Sequence, residues 1–118
     1  MSQEITEMVS RFEHQSQNNI RTSIRHIRLL KEELTYLDDV YLRYTKGRIG
    51  SSLTVLEKKE RMTNIRERIV QINKNMAYYR ECIAVDEKEL DRLYREYGHY
   101  IIYDEQEQEQ SQDDNYDY

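Results

Sequence analysis

Histidines, cysteines and paired carboxylates are the side chains best able to hold a metal or move a proton, and in this chain they are scattered. His14, His26 and His99 lie far apart, Cys82 is the single cysteine, and no HExxH, CxxC, GxSxG, GxxxxGK[ST] or GxGxxG spacing occurs. Gly47 and Gly50, which follow Lys46, are too closely spaced for a phosphate loop. Helix pairing could bring Glu13 and Asp86 together, and joint burial would then raise a carboxyl pKa. A solvated gap in the packing accounts for the same two residues. The expectation is a non-enzymatic protein with no catalytic, cofactor-binding or metal-binding residues. One cysteine makes no internal disulfide, which fits a reducing, cytoplasmic setting.

Binding chemistry is better represented. Arg21, Arg25, Arg28 and Lys31 recur every three or four residues and so line one face of a helix, and Arg43, Lys46 and Arg48 extend the basic charge. Such a patch can follow a phosphate backbone without reading bases. Glu32, Glu33, Asp38 and Asp39 interrupt it, so a solvated face held by intrachain ion pairs is the competing reading.

The elements that would position these residues follow from composition and period. The 118-residue chain is 37% apolar and 35% charged, with no proline and three glycines. Such a chain favours helices that bury a narrow stripe, and it argues against a β-sandwich or barrel. Val55, Met62, Ile69, Met76, Ile83, Leu90 and Tyr97 recur every seven residues, with Ile65, Ile72, Tyr79 and Leu93 three residues after members of that set. These are the a and d positions of a heptad seam, interrupted by Lys58 and Asp86. In the first half, Ile20, Ile27, Leu34 and Tyr41 take a, and Leu30, Leu37 and Tyr44 take d. Gly47 suits the position just past a helix C-terminus, and Ser51 or Ser52 can cap the next helix. The short tip implies antiparallel arms. Pairing residues whose numbers sum to roughly 99 sets Leu37 near Met62 and Leu34 near Ile65. It also sets Tyr41 near Lys58, Glu33 near Arg68, and Asp38 near Lys59 or Arg66. The expected fold is all-α: an antiparallel coiled-coil helical hairpin over residues 1–103, with a disordered acidic, tyrosine-containing tail over 104–118.

Two features qualify that plan. The first register is lost in the polar stretch Glu13 to Asn19, opposite Tyr79 and Ile83. Either Ile5 to Phe12 folds back as a short third helix, or another chain covers the gap. In addition, Val70, Tyr78 and Val85, with Leu29 and Tyr36, sit off the seam at b and c positions. Scattered surface residues would explain them, but a partner face uses them better. Tyr36, Val70, Tyr78, Tyr79 and Val85 are the candidate partner-binding residues, because tyrosine offers large contact area at low entropy cost.

Net charge is −5, but residues 21–80 carry 14 basic and 7 acidic side chains while 81–118 carry 3 and 13. The start has no apolar run, so neither a signal peptide nor a membrane span is expected. The helix, tip, helix plan is similar to the coiled-coil arms of prefoldin subunits and other small helical adaptors. Prefoldin-like strands would have to come from Val40 to Tyr44 with Arg48 and Ile49. The functional expectation is an adaptor or inhibitor that binds and occupies another protein and self-associates. The alternative is a nucleic-acid-associated protein, or an inhibitor of a nucleoprotein complex of the phage or mobile-element type. It would use the basic patch, or the acidic tail as a nucleic-acid mimic.

Overall fold

A computed structural model describes residues 2–98. The expected tail, and the His99 to Tyr103 run before it, lie outside the described residues. Two long helices, α1 (Ser2–Thr45) and α2 (Val55–Tyr97), pack against each other as a hairpin. No strand forms among the described residues, and Val40 to Tyr44 belong to α1.

The polar stretch Glu13 to Asn19 does not break α1, so no third helix forms. Helix continuity requires only backbone tolerance, and the stretch contains neither proline nor glycine. The heptad also survives it. Counting back in sevens from Tyr44 leads through Ser23 and Ser16 to Val9, and all three are buried. The seam is therefore continuous in position and changes only in side-chain size.

The turn is fixed at both ends. Gly47 adopts φ 70° just past α1, where its N–H donates to the Tyr44 carbonyl at 3.1 Å and the Arg48 N–H donates to the Arg43 carbonyl at 2.9 Å. That is a Schellman closure, as the glycine suggested. The cap of α2 is Thr54, not Ser51 or Ser52. Its hydroxyl accepts from the Glu57 N–H at 3.1 Å and donates to the Glu57 carboxylate at 3.0 Å. The T-x-x-E spacing carries this arrangement, and the two serines fall inside the turn. Gly50, at φ 83°, carries the Tyr44 ring. A Cβ built on it would lie 2.9 Å from that ring.

The chain divides into two compact units: residues 2–28 with 78–98 (unit 1), and 29–77 (unit 2). Unit 1 buries Val9, Ile20, Ile24 and Ile27 of α1, and Ile83, Leu90 and Leu93 of α2. Unit 2 buries Tyr44, Ile72 and Met76, while Leu30, Leu34, Leu37, Met62, Ile65 and Ile69 are half-buried. Cross-helix polar contacts supplement that thinner core. Arg68 grips the Glu33 carboxylate with two bonds of 2.8 and 2.7 Å, as the register anticipated. Arg66 engages the seam residue Tyr41 instead of Asp38. Its Nε donates to the Tyr41 hydroxyl at 2.6 Å, and its guanidinium lies 5.2 Å from the Tyr41 ring centroid.

Candidate interaction surfaces

In unit 1, Tyr78 and Val85 project from α2 seven residues apart and are 62% and 54% exposed. Cys82, four residues after Tyr78, is half-buried. A hydrogen bond with the Cys82 thiol, the charge that thiol can carry, and partial burial together hold the Tyr78 phenol above its ordinary pKa. Tyr79 differs from its neighbour. It is half-buried, and its ring stacks on His26 with centroids 4.7 Å apart and planes 11° from parallel. A tyrosine at a d position beside polar residues looked uncovered in sequence, but the imidazole supplies the missing face. Ile83 is only 1% exposed, so no second chain is needed to cover it.

Asp86 is half-buried on the same stretch of α2. Burial raises its carboxyl pKa first, and the charge of Glu89, three residues on, adds to the effect. Glu13 instead accepts a long 3.4 Å bond from the Gln17 side chain on its own helix. Among the described residues, Asp91, Tyr94 and Arg95 line a depression near the end of α2.

Of the candidate basic patch, unit 1 holds Arg25, which is exposed, and Arg21 and Arg28, which are half-buried. No acidic residue occurs between Glu13 and Glu32, so this part of α1 carries one sign of charge. In unit 2, Lys31, Arg43, Lys46 and Arg48 are exposed, but Arg43 is taken up by an ion pair with Asp39 at 3.0 Å.

Tyr36 and Val70 are exposed on unit 2, as is Leu29, seven residues before Tyr36. The sequence reading placed Val55 in the seam, yet it is 87% exposed. Tyr44, its partner by register, turns onto Gly50 instead and leaves the first turn of α2 uncovered. Leu42 and Leu56 in unit 2, and Met8 and Phe12 in unit 1, are further exposed apolar residues that the site reading missed. Met8 and Phe12 stand four apart and off the a and d positions, which is the signal that could have found them.

Among the described residues, no group of three or more His, Cys, Asp or Glu side chains could hold a metal ion. No described helix is long and apolar enough to cross a membrane. No family model, curated protein or solved structure matches the chain.

Proposed function

We propose that the protein is a non-enzymatic helical interaction module of the reducing cytoplasm. It acts as an adaptor or inhibitor by binding and occupying a partner protein, and it associates with itself. The observation that carries this reading is the Tyr78 and Val85 pair. Two large side chains are presented on one face of α2, outside a seam already filled by Ile83, Leu90 and Leu93. A helix face of this kind contributes contact area without distorting the helix that bears it. The test is multi-angle light scattering on the native chain and on Tyr78→Ala with Val85→Ala. The variant is expected to keep its helical circular dichroism and to shift toward monomer. A native chain that is already monomeric, or a variant with unchanged mass, overturns the self-association.

A second reading has its own observation: Arg21, Arg25 and Arg28 on a stretch of α1 without acidic residues. It takes the protein as nucleic-acid-associated, or as an inhibitor of a nucleoprotein complex. Binding to a mixed-sequence oligonucleotide that falls steeply with salt, and is lost in Arg21→Ala/Arg25→Ala/Arg28→Ala, supports direct phosphate contact. Absence of binding at low salt removes it.

A further inference from the structure

The acidic C-terminus and the basic stretch of α1 are opposite in sign and similar in charge spacing. Residues 104–118 carry Asp104, Glu105, Glu107, Glu109, Asp113, Asp114 and Asp117, and no basic residue follows Arg95. Arg21, Arg25 and Arg28 are separated by four and three residues, or about 6 and 4.5 Å along a helix. Glu105, Glu107 and Glu109 alternate with glutamines, and in an extended chain they fall on one side about 6.7 Å apart. A strand-like segment laid along α1 can therefore set a carboxylate beside each guanidinium. The facing stretch of unit 1 offers no such match, because residues 78–97 hold six acidic and four basic side chains.

Reach is sufficient. The His26 and Tyr79 stack fixes which part of α2 lies level with Arg25 and Arg28. From Tyr79 to Tyr97 the helix rises about 27 Å, and the nine residues beyond Gly98 that end at Glu107, the middle one of the three glutamates, span up to about 30 Å. A tether of this length holds the carboxylates near the arginines at roughly millimolar effective concentration, so that individually weak ion pairs add up.

We propose that the Arg21, Arg25 and Arg28 face of α1 is a docking surface for residues 104–118 of the same chain, and that the docked segment shields this face from other polyanions. The contact depends on neither reading of the protein's partner. The test uses the full-length chain with a spin label at Ser111→Cys in a Cys82→Ser background. At about 50 mM salt the amide signals of residues 20–29 are expected to lose at least half their intensity. They recover at about 0.5 M salt, where screening is short-ranged. They also recover in a tail variant with all seven carboxylates changed to Asn or Gln, which leaves both helices untouched. Loss of signal centred on residues 43–48, loss spread evenly over the chain, or none at all overturns the docking. On immobilised heparin the neutral-tail chain is expected to bind about tenfold more tightly than the native chain. Arg21→Gln/Arg25→Gln/Arg28→Gln in the neutral-tail chain removes that gain. Equal binding, no binding by either chain, or a gain that survives the arginine changes overturns the shielding.

Discussion

Unit 1 and unit 2 use the same two helices and the same heptad, but they close their seams differently. Unit 1 fills an extra position with Ile24 and places Ser16 and Ser23 at successive d sites, and Val9, Ile20, Ile27, Ile83, Leu90 and Leu93 along its seam are buried. Small side chains at a helix contact permit closer axes, which closes the larger neighbours off from water. Unit 2 has leucine or tyrosine at every d site of α1, yet most of its apolar residues are only half-buried. It relies on bonds at the flanks and on the turn: the Arg68 grip on Glu33, the Arg66 bond to Tyr41, the Schellman closure and the Thr54 cap. A more apolar stripe does not by itself give a drier core.

The largest expected effect tests this contrast in the cores. Ile83 and Ile72 are 1% and 0% exposed, so Ile→Ala removes a fully buried side chain from each unit. The change should cost about 4 kcal/mol in unit 1 and about 2 kcal/mol in unit 2, within the usual range of about 2–5 kcal/mol. The half-exposed wall of unit 2 can collapse or admit water more easily. Urea unfolding followed by circular dichroism measures both values, and equal losses would break the distinction. The turn comes next. Gly50→Ala forces a positive φ on an L residue and drives a Cβ to 2.9 Å from the Tyr44 ring. The expected cost is about 1–3 kcal/mol. Hydrogen exchange should locate it in unit 2, and equal loss of protection in unit 1 would show that the turn staples both.

How much of this was legible depends on which physical signal carried it. The helices, their antiparallel sense, the Gly47 closure and the Glu33 to Arg68 pair follow from period and charge sign, which the sequence displays directly. The buried serines were missed because a search for apolar residues cannot see a d position filled by a small polar one. The Thr54 cap was hidden behind two adjacent serines that are equally good caps in isolation. Tyr79 looks uncovered in sequence because His26 lies beside the seam, and ring stacking leaves no trace in heptad spacing. The exposure of Val55 follows from where Tyr44 goes, which depends on the backbone at Gly50. Surfaces were the least legible part. Tyr36, Val70, Tyr78 and Val85 are exposed as expected, but exposure alone names no partner.

The smallest effect is the most discriminating, because acid should act on the two units with opposite sign. In unit 2 the hydrogen bonds from Arg68 hold the Glu33 carboxyl below its ordinary value of 4.5. A depressed carboxyl stabilises the fold above the unfolded value, and that contribution is lost as pH falls through the lower folded value. Both side chains are more than a third exposed, so solvent screening keeps the contribution small. In unit 1 burial, with help from Glu89, lifts the Asp86 carboxyl above its ordinary 3.8. A raised carboxyl carries a penalty at neutral pH, relieved as pH falls through the folded value toward the unfolded one. Asp86→Asn should therefore stabilise unit 1 slightly at neutral pH and abolish its gain on acidification. Glu33→Gln should weaken unit 2 slightly at neutral pH and flatten its loss in acid. Amide exchange measured from pH 7 down to about pH 2.5, with intrinsic rates divided out, reads the two units separately. Parallel loss of protection in both would mean that the Asp86 penalty is already relieved by water, and that unit 1 is less dry at that position than its aliphatic residues imply.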